Sequence, residues 1–398
     1  MNLTISPLSC DSAAAGPLTT YDSAVPSYPA STAGLGAGPV LPPEDLDLAA
    51  LEALARAAIG EMAYAYYAGG AEDEQLIIDN VEAWRRHRLL PRVLVDVAEI
   101  STTTTVLGDE VLVPVLVAPT AIQRLATPEG ELATARGAAR SGTIMTLSSL
   151  SNTPLADVAE AGGGAPQWMQ IYILKDRVRT ADMVAQVKEA GYRALALTVD
   201  APVSGLRSSE LRGGVHLPDD LALPNLADAS AAHAQSQGFM AVVSREFDPS
   251  ITYDDVAWLA DLSGLPVLAK GVARADDAVR CLDAGAAGVI VSNHGGRQLD
   301  DALPTATVLP EIAQAIQGRG EVIVDGGVRR PADVVKALAL GATAVQLGRP
   351  ILWALGAHGE QGVVDLLSWF THELRRTMAL CGAPTINAID ASLVRTIP

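Results

Sequence analysis

The chain has 398 residues, of which 49% are apolar and 19% charged, enough to bury a large core and too hydrophobic for a disordered polymer. Its 28 Lys and Arg against 46 Asp and Glu leave a formal charge of −18, which repels phosphate backbones and anionic membranes and argues against nucleic-acid binding. The three cysteines, Cys10, Cys281 and Cys381, build neither a disulfide framework nor a zinc site and fit a reducing cytoplasm.

No Lys or Arg precedes Arg56, so no secretory signal is expected. Residues 1–43 are rich in Ser, Ala, Gly and Pro without a sustained apolar period, and they are expected to form a flexible tail ahead of a single domain, 44–398. Apolar residues at helical spacing after Pro43 (Leu46, Leu48, Leu51, Leu54, Ile59) predict a helix over Glu44–Gly60. Beyond Ala98, short apolar runs alternate with amphipathic stretches. The predicted strands are Val113–Val117, Ile144–Leu147, Gln167–Ile171, Ala194–Val199, Pro266–Lys270, Gly288–Ser292, Glu321–Asp325 and Ala344–Leu347. The helical patterns that follow are Pro128–Arg140, Leu155–Glu160, Ala181–Ala190, Tyr253–Ser263, Ala275–Ala284, Thr307–Gln317, Ala332–Leu340 and Gly362–Leu380. No run approaches the roughly 20 apolar residues of a membrane span.

Strands that read as continuous apolar runs belong to a parallel sheet buried on both faces, and eight of them close a barrel. An open doubly wound sheet is the rival, but its first strand usually leads into a Gly-rich turn. Here the first run ends Ala118-Pro119-Thr120-Ala121, with no GxGxxG. The expected fold is therefore an α/β TIM (β/α)8 barrel with an N-terminal helical segment. Barrel chemistry sits where strands end, and polar residues follow every run: Thr120, Ser148, Gln170 and Tyr172, Thr198 and Asp200, Lys270, Asn293 and His294, Asp325, and Gly348 with Arg349.

The seventh run ends Asp325-Gly326-Gly327-Val328-Arg329 and the eighth Gly348-Arg349-Pro350. Glycines that admit backbone N–H groups, with an arginine beside each, predict a phosphate site between these two loops. The sixth run ends Ser292-Asn293-His294-Gly295-Gly296-Arg297-Gln298-Leu299-Asp300. That spacing suits a general base beside a carboxylate-gripping arginine, with Asp200 available to orient the imidazole. Lys270 ends the apolar run Leu265–Ala269; it suits either a Schiff base or a fixed charge beside a cofactor ring. The other histidines show no HxH or HExxH spacing, so no metal is expected.

With these residues assembled, the chain resembles the FMN-dependent L-2-hydroxy-acid oxidases and dehydrogenases, such as glycolate oxidase and lactate oxidase. The similarity runs from about Leu46 to Ile389. It is carried by Ser292–Asp300, Tyr66-Tyr67-Ala68-Gly69-Gly70-Ala71, Ala118–Ala121, Leu197-Thr198-Val199-Asp200-Ala201-Pro202 and Asp325–Arg329. The resemblance implies that His294 removes a substrate proton with support from Asp200, and that Arg297 and Arg207 hold the carboxylate. It implies that Tyr66 and Tyr172 bond the substrate. It places Pro119, Thr120, Ala121, Ser148, Gln170, Thr198 and Ser292 against FMN, and Lys270 beside the flavin N1–C2=O edge, which decides against the Schiff base. Gly327, Arg329, Gly348 and Arg349 fall to its phosphate, and Asp325 and Gly326 are further cofactor contacts. A homotetramer is implied in the same way, with a 2-hydroxy acid as substrate and oxygen, or else a quinone or protein, as electron acceptor. Activity is expected to rise with pH as the histidine loses its proton.

Leu150 stands where glycolate oxidase has a Trp, Ser204 where it has a Leu, and Leu206 replaces the first of an Arg pair. Smaller walls predict a substrate bulkier than glycolate. The long fourth loop, about Ser204–Ser250, lacks a basic amphipathic face, so no membrane insert is expected. Other FMN barrels remain rivals, such as a type 2 isopentenyl diphosphate isomerase or an inosinate-dehydrogenase-like enzyme; the latter needs a loop cysteine, and Cys281 falls mid-helix.

Overall fold

In a computed structural model of the chain, residues 46–207, 221–226 and 245–397 are described; the expected tail, His216, His233 and most of the fourth loop lie outside them. Eight strands, β4 (Val115–Val117), β5 (Met145–Leu147), β6 (Gln167–Ile171), β7 (Ala194–Thr198), β8 (Val267–Val272), β9 (Gly288–Val291), β10 (Glu321–Val324) and β11 (Ala344–Leu347), close into a barrel in that cyclic order. Every barrel pairing is parallel. This is the expected TIM barrel. Alternation along the strands divides the interior in two. Val115, Val117, Met169, Ile171, Val289 and Val291 pack with the surrounding helices. Leu116, Trp168, Leu268, Ile290 and Ile323 form a second cluster, and by the period of two they fill the lumen.

The lumen is stoppered at its N-terminal end by a hairpin the sequence patterns did not predict, β2 (Thr104–Val106) with β3 (Asp109–Val111). Val106 and Val111 join the lumen cluster, and the Leu107 amide donates to Glu321 Oε1 at 3.0 Å, where β10 begins. Only the opposite end remains for chemistry.

The enclosing helices are α3 (Gly130–Arg140), α4 (Leu155–Ala161), α5 (Arg177–Glu189), α6 (Tyr253–Ser263), α7 (Ala275–Asp283), α8 (Thr305–Ile316), α9 (Pro331–Ala339) and α10 (Arg349–Cys381). Two helices are longer than expected for the same reason. α1 (Leu48–Ala68) is broken at Gly60, φ +82°, and α10 at Gly359, φ +61°, so the apolar phase resets at a glycine and each pattern is legible on one side only. α2 (Gln75–Arg86) was not expected at all. It is followed by β1 (His87–Leu89), which pairs antiparallel with β12 (Val394–Thr396) and ties the segment after α2 to the last described residues. His87 is buried, with Nδ1 2.9 Å from Thr396 Oγ1 and Nε2 3.2 Å from the Ala306 carbonyl.

Candidate active site

The C-terminal ends of the strands open onto a cavity of about 1130 Å³ including its mouth. Tyr66, Pro119, Thr120, Ala121, Ser148, Gln170, Tyr172, Thr198, Arg207, Lys270, His294, Arg297, Asp325, Gly326, Gly327, Arg329, Gly348 and Arg349 all line it. The barrel has therefore gathered residues far apart in sequence around one opening. Two expected site residues, Asp200 and Ser292, stand behind the lining, against the lining side chains of His294 and Lys270.

His294 follows β9 with φ +58°, a left-handed turn that is uncommon for a non-glycine residue. Its Nδ1 lies 3.0 Å from Asp200 Oδ1. A ring nitrogen facing a carboxylate carries the proton, so Nε2 is left as the basic atom. Asp200 reaches this position because Gly271, φ +109°, has no side chain: a Cβ there would stand 2.4 Å from Asp200 Cγ. Burial alone would raise the Asp200 carboxyl, but the His294 charge and hydrogen bond, with Lys270 adding to them, hold it below its ordinary value.

Lys270 is buried in β8, with Nζ 3.2 Å from Asp325 Oδ2 and 3.0 Å from Ser292 Oγ. The same Ser292 oxygen accepts the His294 amide at 3.1 Å. Ser292 thus links the lysine to the histidine loop instead of facing the cavity. Gln170 is fixed from both ends: its Oε1 accepts the Ser149 amide at 3.1 Å and its Nε2 donates to Thr198 Oγ1 at 2.9 Å.

At the far side, Arg349 donates to the carbonyls of Gly295 (2.8 Å), Tyr67 (3.0 Å) and Gly69 (3.1 Å). Arg329 donates to the Val328 carbonyl at 3.0 Å. Neither forms an ion pair with a carboxylate among the described residues. Burial, followed by Arg297 and Arg329, pulls Arg349 down to about 9, and burial lowers Arg329 as well. Cations held this way, beside Gly326 and Gly327 at φ +86° and +76°, make a corner that favours an anion. Among the described residues Asp325 Oδ1 and Gln346 Oε1 are buried without a hydrogen-bond partner, and both residues line the cavity. A cationic corner with unsatisfied polar atoms nearby fits a ligand with a phosphate at one end and polar ring edges at the other, as FMN has.

Toward the mouth, Arg297 donates to the Tyr66 carbonyl at 2.9 Å and stands over the Tyr66 ring, Cζ 5.3 Å from its centroid. Arg207 is buried, its Nε 3.5 Å from the Arg297 carbonyl. Tyr172 stacks on Phe247, centroids 4.0 Å apart, and burial pushes its phenol well above the ordinary range, so it remains a hydrogen-bond donor. Leu150 lines the cavity; Ser204 is not among the lining residues. Cys281 sits in α7 with its thiol pushed up to about 11 by burial, which makes it a poor nucleophile.

Sequence patterns missed Tyr67, Ile77 and Asn80, which also line the cavity. Ile77 and Asn80 lie on the unexpected α2, which reads as too polar for a core helix. Tyr67 lay within the motif Tyr66–Ala71, the one available signal.

The chain matches the family described as FMN-dependent dehydrogenase over residues 55–396. It is 46% identical over 356 residues to an L-lactate oxidase of Nostoc sp., covering 88% of this chain and 98% of that one. It is 44% identical over 350 residues to 2-hydroxyacid oxidase 1 of Homo sapiens, covering 86% and 95%. A solved mandelate oxidase with (S)-4-hydroxymandelic acid superposes with a TM-score of 0.83 at 40% identity, over 87% of this chain and 98% of that one. The chain belongs to the family of FMN-dependent dehydrogenases, and FMN is its cofactor.

Proposed function

We propose that the protein oxidises an L-2-hydroxy acid to the 2-oxo acid, with oxygen as the final acceptor and hydrogen peroxide as the second product. The observation that carries this reading is the His294–Asp200 contact at 3.0 Å in the same cavity as Arg207, Arg297 and Lys270. Oxidation removes two electrons and two protons from the HC–OH unit. When bound, FMN would accept the two electrons and one of the two protons. His294 Nε2 takes one proton, and Asp200 stabilises the imidazolium that results. Arg297 and Arg207 grip the carboxylate, while the phenols of Tyr66 and Tyr172 orient the substrate through its polar groups. Lys270 supplies a fixed positive charge for the electron-rich ring, and Arg329 and Arg349 hold the phosphate. Thr120, Ala121, Ser148, Gln170 and Thr198 are the remaining ring and ribityl contacts.

Two considerations support a substrate larger than glycolate. Leu150 presents an aliphatic wall to the cavity, and the similar structures include a mandelate oxidase holding an aryl 2-hydroxy acid. The oxygen acceptor is supported by relatives named as oxidases. A tetrameric assembly rests on the resemblance alone and a cytoplasmic location on the cysteine usage; among the described residues no helix is long and apolar enough to cross a membrane. Light scattering tests the assembly.

The test is spectroscopic. The purified protein shows a flavin spectrum that bleaches when L-lactate or (S)-mandelate is added without oxygen, and air restores it with release of peroxide. A flavin that no 2-hydroxy acid bleaches overturns the reaction. Bleaching without peroxide on aeration leaves the reaction and replaces the acceptor with a quinone or protein.

A further inference from the structure

Asn80 and Asn293 face each other as a reciprocal amide pair. Asn80 Nδ2 donates to Asn293 Oδ1 at 3.0 Å, and Asn293 Nδ2 donates back to Asn80 Oδ1 at 2.8 Å. Both are buried, 2% and 7% exposed, so each broken bond strands a polar group away from water. The pair reaches further at both ends. Asn293 Oδ1 also accepts the Gly296 amide at 3.3 Å, inside the loop that carries His294 and Arg297. Asn80 lies in α2 directly against the proposed phosphate loop: a Cβ on Gly327 would stand 2.2 Å from the Asn80 carbonyl oxygen, and one on Gly326 would stand 3.3 Å from Asn80 Oδ1. One turn on, Trp84 Nε1 donates to the Gly326 carbonyl at 2.8 Å. Asp300, at the end of the same histidine loop, accepts the Leu76 and Gln75 amides at 2.9 and 3.1 Å.

We infer that Asn80 is a positioning residue that couples the two halves of the site: seating of the FMN phosphate against Gly326–Arg329 is transmitted through the Asn80–Asn293 pair to the loop that aims His294 and Arg297. The inference rests on the reading of those segments as phosphate loop and proton acceptor. The physical basis is that each amide commits its oxygen and one N–H in a fixed plane, so α2, which packs on the phosphate loop and is tied to it by Trp84, cannot shift against the histidine loop without breaking both bonds. Coupling of this kind is reciprocal: what orders the histidine loop also tightens FMN.

Asn80→Asp and Asn293→Asp keep the shape and turn one donor into a second acceptor. For each, apo-protein is titrated with FMN by flavin fluorescence, and hydrogen exchange of residues 293–300 is followed with and without FMN. The flavin-saturated protein is then bleached by L-lactate. FMN is expected to bind at least tenfold more weakly to either variant. It protects residues 293–300 in the wild-type protein and not in the variants. Bleaching at saturating FMN is expected to slow about tenfold with KM changed less than threefold. FMN affinity within twofold of wild type overturns the inference, as does protection of 293–300 that survives in both variants. Wild-type protein that no 2-hydroxy acid bleaches overturns the proposed reaction instead, and the affinity and exchange measurements still decide the coupling. If Asn80→Asp does not fold, Asn80→Ser, which adds no charge and cannot span the pair, supplies the same measurements.

Discussion

Nζ of Lys270 lies 3.2 Å from Oδ2 of Asp325, with both side chains buried. Burial alone would lower the ammonium, but Asp325 and then Asp200 outweigh it and leave it raised above its ordinary value. A Schiff base requires the neutral amine, so borohydride added with a 2-oxo acid is expected to leave the protein's mass unchanged; a trapped adduct on Lys270 would reverse the assignment. Lys270→Met strands the Asp325 carboxylate, whose Oδ1 already has no partner. Breaking a buried pair from one side costs about 3–5 kcal/mol, measurable by denaturant unfolding.

Asp200 supplies a pH signature. Its carboxyl is held below the ordinary value of 3.8 once His294 and Lys270 outweigh burial. The folded state therefore holds the proton less tightly than the unfolded chain. The stabilisation is fully present above about 3.8 and fades as pH falls through the folded value. Asp200→Asn is expected to be less stable than wild type at neutral pH, with the gap closing in acid. The same variant removes the group that fixes the His294 tautomer, and a loss of about 10²–10⁴ in flavin bleaching rate is expected. An unchanged rate would separate His294 from proton transfer.

The corner formed by Arg349 and Arg329 leads us to expect that anions stabilise the folded protein. The lowered value of Arg349, about 9, means that its surroundings disfavour the cation. An anion bound in the corner reverses that sign and stabilises the folded protein by mass action, about 2.7 kcal/mol at a hundredfold excess over Kd. Inorganic phosphate is expected to raise the thermal midpoint of FMN-free protein above that in chloride of equal ionic strength. Arg329→Ala with Arg349→Ala is expected to abolish the difference. Equal midpoints in both salts would count against a phosphate site.

The barrel was legible because a strand covered on both faces is a continuous apolar run, and β6 and β7 are buried at every residue. The mouth was legible because polar residues after such runs have few structural reasons to recur eight times. α2 was not, since its polarity is inverted at two informative positions: Asn80 is buried, whereas Ile78 is 57% exposed. An amphipathic pattern reads Asn80 as solvent-facing, and its burial depends on tertiary partners, the Asn293 amide and the Thr305 N–H. Asp200 and Ser292 lie at strand ends, as their positions after apolar runs indicate, but standing behind the lining is a three-dimensional property that spacing does not encode.

Leu150 offers the direct test of substrate size. It follows β5, is 2% exposed, and its amide is tied to Ser148 Oγ at 3.1 Å, so its backbone is fixed and a larger side chain must enter the cavity or displace packed neighbours. Restoring the tryptophan that the resemblance places there in glycolate oxidase, Leu150→Trp, removes volume where a substrate side chain would lie. Differences of a methylene in such a pocket change selectivity about 10–200-fold. The variant is expected to lose at least about tenfold in kcat/KM for (S)-mandelate relative to glycolate, with FMN affinity unchanged. Steady-state kinetics on the two acids decide it: a ratio equal to that of the wild-type protein would show that Leu150 does not bound the substrate, and a wild-type preference for glycolate would remove the case for a bulkier acid.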